Sequence, residues 1–193
     1  MTTPVIRSQR LVLDEVRPSD VTDVFTACQD DELQRWVPLP SPYERTDAEF
    51  FTGPYASDAA TSTAFGLWAI RLAESPTLIG AIELRFEPLG SATVGFWLAR
   101  PHRGRGVMTE ALQTLVEFAF DPEGFDLDRM HWQAVAHNVA SAIVARRNGF
   151  RFEGVSRLGI VHRGRRIDAW EATLLRADLT ANDTGAAALG WPL

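Results

Sequence analysis

The amino-acid sequence predicts an α/β protein in which one mixed β-sheet carries helices on its faces. Apolar segments of strand length interleave along the chain with segments of helical periodicity, and the strands outnumber the helices. The 193 residues are 46% hydrophobic and 23% charged, which is the composition of a globular protein. A chain of this length buries most of its apolar surface without disulfides, and its one cysteine, Cys28, excludes an internal disulfide framework. We therefore expect a single domain over residues 1–178.

The first half of the chain is predicted to follow the order β-α-α-β-β-β. Residues 10–16, which are rich in Leu and Val, predict the first strand. Residues 46–49 match a capping box, which predicts that a second helix begins near Phe50. Apolar runs predict three further strands, over residues 64–72, 77–87 and 93–98. The first helix is predicted from four apolar residues at the spacing of one helical face: Val21, Val24, Phe25 and Cys28.

The second half is predicted to follow the order α-β-α-β-β. Residues 104–120 predict a long amphipathic helix, and residues 130–135 predict the next strand. A helix over residues 138–148 is expected to end at Gly149, the usual residue just past a helix. Residues 150–161 and 167–175 predict a final strand pair. The tail, residues 179–193, is rich in Ala and Gly and is predicted to be flexible, although its Trp191 is expected to dock on the domain.

The charged residues exclude several classes of function. All 19 basic residues are arginine, so lysine Schiff-base chemistry is excluded. Residues 1–99 hold 7 Arg against 14 acids, and the remainder holds 12 Arg against 11 acids; this split favours a cationic substrate near the first half and an anionic ligand near the second. The four histidines and the single cysteine show no metal-ligand spacing, so no metal is expected.

The sequence also predicts the compartment of the protein. No apolar run approaches the ~18 residues that span a bilayer. The first residues lack the basic and apolar stretches of a signal peptide. We therefore expect a cytoplasmic protein that contacts no membrane.

Residues 97–109 predict a phosphate-binding site, because an apolar strand leads through a short Arg/Gly loop into a helix. The first N–H groups of a helix have no internal partner and lie at the positive end of its dipole. Gly104 and Gly106 allow the backbone to approach an anion closely. The loop and the first helical turn add four side chains that can contact phosphate oxygens: Arg100, Arg103, Arg105 and Thr109.

Three familiar phosphate-binding motifs fit this segment less well. The dinucleotide fingerprint fails because Thr109 stands where its third glycine belongs, and the Walker motif fails because the chain has no lysine. The Arg/Gly runs are short and lack flanking aromatic residues, and the chain is acidic, so no nucleic-acid partner is expected.

The segment resembles the pyrophosphate-binding motif of the GNAT acyltransferases, [RQ]-x-x-G-x-[GA], which reads here Arg103-x-x-Gly106-x-Met108. Met108 replaces a small residue, as in the G-[IV]-M-T version of the RimJ/RimL-like branch. Three other segments resemble that branch: residues 10–13 (Arg-Leu-Val-Leu), residues 138–141 (Asn-Val-Ala-Ser) and residues 147–154, which contain Asn-Gly-Phe and Glu-Gly. Together they span about residues 5–178.

The resemblance implies a GNAT fold with a central mixed sheet of about seven strands. Two central parallel strands would splay apart to admit an acyl-CoA. The pantetheine arm would pair with the strand edge near Leu98 and Arg100 and meet Asn138. The pyrophosphate would lie on residues 103–109, which include Val107. The resemblance implies acetyl-CoA as co-substrate, a primary amine of a protein N-terminus or a small molecule as acceptor, and a possible homodimer.

Two residues are candidates for the acyl-transfer chemistry. In the RimJ/RimL-like branch a serine donates a proton to the leaving thiolate, and Ser141 matches its position; a serine there could also simply complete a helix cap. Glu83 lies among apolar residues of a predicted strand. A carboxylate there either has a partner or has a raised pKa, and either state suits a general base. An edge position in water, with ordered water as the base, is the alternative.

Two alternatives to acetyl transfer stay open from the sequence. The same fold could use succinyl-CoA or another acyl-CoA as the donor. The chain could also be an acyl-CoA-binding or regulatory module without turnover, because fold and phosphate site alone do not establish catalysis.

Overall fold

The computed structural model describes residues 3–180 and 190–193. The strands form one sheet, and their bounds are β1 Ile6–Arg7, β2 Leu11–Asp14, β3 Phe65–Leu72, β4 Gly80–Glu87, β5 Ser91–Leu98, β6 Arg129–Val135, β7 Arg151–His162 and β8 Arg165–Leu175. Their order across the sheet is β1-β2-β3-β4-β5-β6-β8-β7. Every neighbouring pair is antiparallel except β5 and β6, which are parallel.

Helices cover both faces of the sheet. Their bounds are α1 Val21–Cys28, α2 Asp31–Trp36, α3 Arg45–Phe50, α4 Ala56–Thr61, α5 Val107–Phe120, α6 Val139–Arg147 and α7 Arg176–Thr180. A π-helical turn, Phe51–Tyr55, joins α3 to α4, and 3-10 turns occupy Pro18–Asp20 and Arg100–His102. No helix in residues 3–180 and 190–193 is long and apolar enough to cross a membrane.

Two hydrophobic clusters lie on opposite faces of the sheet. On one face, which we call the α5–α6 face, Leu112 and Leu115 pack with strand residues such as Trp132. On the other, the α1–α4 face, Val24 packs with residues such as Ala81. Side chains alternate between the faces along each strand, so neighbouring residues of one strand belong to different clusters.

The parallel strands β5 and β6 separate part-way along their length. Ser91 through Val94 pair with Arg129 through Trp132. Beyond Val94, β5 stays with β4 as far as the pair Leu98–Gly80, whereas β6 stays with β8 as far as the pair Val135–Ala169. A gap therefore opens between the two central strands, which confirms the predicted splay.

The structure confirms the mixed sheet and differs from the sequence analysis in detail. The sheet has eight strands instead of about seven, because the two-residue strand β1 pairs with β2. Helix α3 begins at Arg45, before the expected start near Phe50, because the Asp47 carboxylate caps the Glu44 N–H at 2.7 Å. Within the predicted flexible tail, residues 181–189 lie outside the described residues, and Trp191 is buried in the core as expected.

Candidate active site

The loop before α5 has the backbone conformation that the phosphate-site prediction requires. Gly104 and Gly106 have φ values of 72° and 74°, a left-handed conformation that glycine adopts without strain. Gly106 is the N-cap of α5. A Cβ atom at Gly106 would have Arg10 Nη2, 3.8 Å away, as its nearest neighbour. The first N–H groups of an α-helix have no partner within the helix, which is why helix N-termini bind anions.

The three arginines of the loop differ in their surroundings. Arg100 and Arg105 are exposed. The guanidinium of Arg103 instead donates from Nε to the Leu98 carbonyl oxygen (2.9 Å) and pairs through Nη1 with Asp30 (2.7 Å) and Glu32 (3.3 Å). Burial is the largest influence on Asp30 and opposes its ionisation, but the hydrogen bonds from Arg103 and the Leu33 N–H, together with the charges of Arg103 and Arg100, lower its pKa. Arg103 thus ties the start of α2 to the end of β5.

The first turn of α5 directs its apolar side chains into the core. Val107 and Met108 are buried in the cluster of the α5–α6 face. Thr109 is half-buried, and its carbonyl oxygen accepts from Asn148 Nδ2 at 3.3 Å. Because the Met108 side chain lies in the core, a bulky residue at this motif position leaves the backbone N–H groups of the loop accessible.

Arg10 lies beside the loop before α5, where the sequence analysis did not place it. Its Nε and Nη2 lie 2.6 and 2.5 Å from Glu110 Oε2, and the Ser8 hydroxyl donates to Glu110 Oε1 at 2.7 Å. Burial acts to raise the pKa of Glu110, but these hydrogen bonds lower it. The Arg-Leu-Val-Leu segment was assigned only as a strand, because sequence cannot show that its arginine reaches a helix 100 positions away.

Glu83 lies beside the opening of the central gap. It pairs across β4 and β5 with Gly95, the first β5 residue beyond the β6 pairing, and Gly95 contributes no side chain between Glu83 and the gap. Glu83 Oε2 accepts from the Tyr55 hydroxyl, and Oε1 lies 2.7 Å from Arg85 Nε. The carboxylate therefore has the partners that the sequence analysis required of a base.

Tyr55 reaches Glu83 from the π-helical turn, a contact that the sequence did not indicate. Burial, followed by the hydrogen bond to Glu83, raises the pKa of the Tyr55 hydroxyl. The phenol therefore stays protonated and donates to the carboxylate, while it accepts from Arg85 Nη2 at 2.8 Å. Short π-helical segments are often found at functional sites.

Asn138 and Ser141 lie at the start of α6. Asn138 is the N-cap, is 9% exposed, and accepts the Ser141 N–H at Oδ1 (3.2 Å). The Ser141 Oγ atom accepts the indole N–H of Trp132 at 3.0 Å. Within the described residues the Ser141 hydroxyl donates to no acceptor, so its proton is available to a ligand. The sequence does not indicate this contact between Trp132 and Ser141.

Glu83 and Ser141 flank the gap from opposite faces of the sheet. Glu83 shares its side of β4 with Ala81, a residue of the α1–α4 face. Trp132, which holds Ser141, belongs to the α5–α6 face and pairs with Val94 at the last position before the strands separate. A group lying in the gap would therefore meet a carboxylate on one side and a hydroxyl on the other.

The parallel strands β5 and β6 thus separate in the middle of the sheet, next to a helix N-terminus preceded by two glycines. The family model described as "Acetyltransferase (GNAT) domain" matches residues 10–151, and the chain belongs to this family. Among the described residues, no three His, Cys, Asp or Glu side chains form a metal-binding group.

Known proteins similar to this chain are acetyltransferases by name. Probable N-acetyltransferase YjcK of Bacillus subtilis is 31% identical over 62% of this chain and 62% of its own length. The ribosomal-protein-serine acetyltransferase of Escherichia coli is 39% identical over 40% of this chain and 43% of its own. Both matches span less than two thirds of the relative. RimL, a ribosomal L7/L12 alpha-N-protein acetyltransferase solved with coenzyme A, superposes with a TM-score of 0.76 at 22% identity, over 89% of this chain and 98% of that one.

Proposed function

We propose that the protein is an N-acyltransferase that moves an acetyl group from acetyl-CoA to a primary amine. The observation that carries the proposal is the gap between β5 and β6, with Glu83 and Ser141 on its two faces and the loop of Gly104 and Gly106 at its end. This arrangement offers a place for a thioester between a base and a proton donor.

The proposal assigns the acyl-CoA to this gap in two parts. The pyrophosphate lies on the backbone of residues 103–109. The exposed guanidinium groups of Arg100 and Arg105 pair with its negative charge. The pantetheine arm follows the unpaired edge of β5 towards Leu98 and meets Asn138. We assign Arg103 to positioning, because its guanidinium already holds Leu98, Asp30 and Glu32.

The proposed reaction forms a C–N bond and breaks a C–S bond. The Glu83 carboxylate removes a proton from the acceptor ammonium, directly or through water. The neutral nitrogen attacks the thioester carbonyl, and the tetrahedral intermediate expels the thiolate of CoA. Ser141 donates its proton to that sulfur and regains one, through water, from the nitrogen, which loses its second proton as the amide forms. The products are the N-acetylated acceptor and CoA with a free thiol.

The acceptor in this proposal is a primary amine, of a protein N-terminus or a small molecule. The name of the Escherichia coli relative, a ribosomal-protein-serine acetyltransferase, supports a protein as the acceptor. An α-amine has a pKa of about 8, so a modest base suffices to deprotonate it near neutral pH. The cytoplasm stays the expected compartment and a homodimer the expected assembly.

Calorimetric titration with CoA, acetyl-CoA and succinyl-CoA tests the phosphate site. Gly106→Asp is expected to weaken CoA binding by about tenfold or more, because it adds a negative charge where the phosphates lie. Gly106→Asn is the matched control, since Asn and Asp both tolerate a left-handed backbone. The control is expected to bind within a few-fold of the original protein.

Four results would contradict the proposal in different ways. Equal affinity of Gly106→Asp and Gly106→Asn would place the phosphates elsewhere. Failure of all three CoA compounds to bind would remove the acyl-CoA site. Binding without N-acylation of any peptide or small amine would favour the non-catalytic module, and faster transfer from succinyl-CoA would replace acetyl as the donor group.

A further inference from the structure

A residue near the C-terminus reaches the back of the proposed active site. Trp191 lies 40 positions beyond the part of the chain that the family model matches, residues 10–151. It is only 9% exposed and packs in the cluster of the α5–α6 face. Its ring lies 5.6 Å from that of Trp132 and 5.3 Å from that of Phe152, measured between centroids.

Trp132 connects this tail residue to the proposed proton donor. Its side chain is 1% exposed, and its indole N–H donates to Ser141 Oγ at 3.0 Å. A planar indole can point its N–H at one atom only while its ring plane is fixed, and packing fixes the plane. Trp191 supplies one wall of that packing, at an interplanar angle of 53°.

We propose that Trp191 is a positioning residue for acyl transfer, which fixes the Trp132 indole and thereby orients the Ser141 hydroxyl towards the gap. The inference rests on the proposed function of Ser141. Without Trp191, the Trp132 ring can tilt into the vacated space and its N–H leaves the Ser141 oxygen. A displacement of about 1 Å in a reacting group can lower a rate by about a hundredfold.

A double-mutant cycle tests this role, because the proposal requires Trp191 to act through Ser141. We expect Trp191→Ala to lower kcat about tenfold while the KM for acetyl-CoA changes little. In a Ser141→Ala background, Trp191→Ala is expected to lower kcat no further. Trp191→Phe, which keeps an aromatic wall, is expected to recover most of the rate.

A matched control separates positioning from loss of stability. Phe125 belongs to a different aromatic group on the same face, with Trp68, Phe86 and Phe118. Phe125→Ala is expected to lower the thermal midpoint without lowering kcat, at a temperature where every variant is folded. An unchanged kcat in Trp191→Ala, or an equal loss in both Ser141 backgrounds, would reduce Trp191 to a packing residue.

The indole N–H resonance of Trp132 reports on its hydrogen bond to Ser141 without any enzymatic turnover. The inference therefore stays testable if the proposed function fails. The six tryptophans give six indole N–H resonances, and Trp132→Phe identifies that of Trp132. Ser141→Ala and Trp191→Ala are both expected to shift this resonance, since both disturb the same hydrogen bond. A shift in Ser141→Ala but not in Trp191→Ala would overturn the positioning role, whatever the protein catalyses.

Discussion

The proposed role of Glu83 as a general base depends on the three residues that surround its carboxylate: Tyr55, Arg85 and Gly95. Tyr55 donates a hydrogen bond to it, Arg85 forms an ion pair with it, and Gly95 leaves the side towards the gap open. The two donors fix the carboxylate in place, as a base needs, while the missing side chain at Gly95 gives an amine room to approach. The same contacts explain why a charged residue lies between the apolar residues Ile82 and Leu84 of β4.

Replacing Glu83 by Gln removes the base and keeps the volume of the side chain. We expect kcat near neutral pH to fall about a hundredfold, the lower range of general-base catalysis, with little change in CoA affinity. The loss of kcat should become smaller as the pH rises towards about 8, the pKa of an α-amine. At that pH the acceptor loses its proton to water without help from a base. Steady-state kinetics against pH measures both effects.

Tyr55→Phe is the control for that variant, since it removes one hydrogen-bond donor and keeps the carboxylate. Its loss of kcat is expected to be several-fold smaller than that of Glu83→Gln. A Glu83→Gln enzyme with the original rate near neutral pH would assign the base to ordered water.

At the scale of elements, long periodic segments were predictable and short or irregular ones were not. Helix α5 was predicted because Leu112 and Leu115 repeat on one face, and both are fully buried. Strand β1 has two residues and α2 has six, too few to show a period. Tyr55 was missed as a site residue because a π-helical turn, which has no sequence signature, aims it at Glu83.

The candidate site was predictable where it follows the backbone and unpredictable where it depends on tertiary contacts. Gly104 and Gly106 indicated a left-handed loop, which the structure has. Arg103 is predicted to contact phosphate from its charge and from its place in the GNAT-like motif. Its guanidinium also lies beside Asp30, a contact between distant segments that sequence spacing cannot reveal.

One buried ion cluster joins elements far from the site and carries a separate prediction. Arg71 on β3 is 3% exposed and lies 2.7 Å from Asp14 of β2 and 2.8 Å from Asp20 of a 3-10 turn. Arg71→Met keeps the length of the side chain but removes the ion-pair partner of Asp20 and one of two guanidinium groups that contact Asp14, the other being that of Arg17 at 2.5 Å. We expect the free energy of unfolding to fall by about 3–5 kcal/mol, measured by urea denaturation.

The exposed pair Arg45–Glu49, at 3.4 Å, provides the comparison for Arg71. Arg45→Met is expected to change the free energy of unfolding by no more than about 0.5 kcal/mol. If Arg71→Met also changed the free energy of unfolding by no more than about 0.5 kcal/mol, the Arg71 cluster would be solvated in solution. Burial would then not make this ion pair stronger than the exposed one. Adding Asp14→Asn and Asp20→Asn to Arg71→Met is expected to restore part of the lost stability.

For the whole molecule, the site is assembled from both halves of the chain. Glu83 and Arg10 come from the acidic first half, and the phosphate loop and Ser141 come from the second. The proposed acceptor would thus approach carboxylates while the phosphates of CoA approach arginines. The charge split seen in the sequence is consistent with this division, since the two partners carry opposite charges.

The stability of the whole molecule is expected to fall on mild acidification because two histidines favour the neutral form when folded. Burial and then the charge of Arg129 lower the pKa of His131 below 6.5, and neighbouring acids, Glu171, Glu153 and Glu87, oppose this only in part. Burial and then Arg163 lower the pKa of His162. Below pH 6.5 the unfolded chain therefore binds protons that the folded protein does not.

The sign of this linkage fixes the pH range of the effect. The stabilisation from each histidine is fully present above pH 6.5 and is lost as the pH falls through the lowered pKa of the folded state. Each group contributes a slope of at most about 1.4 kcal/mol per pH unit. We expect the thermal midpoint of the double variant His131→Gln, His162→Gln to depend less on pH than that of the original protein between about pH 7.5 and pH 5.5. An unchanged slope would mean that carboxylates, and not these imidazoles, set the acid limit of the fold.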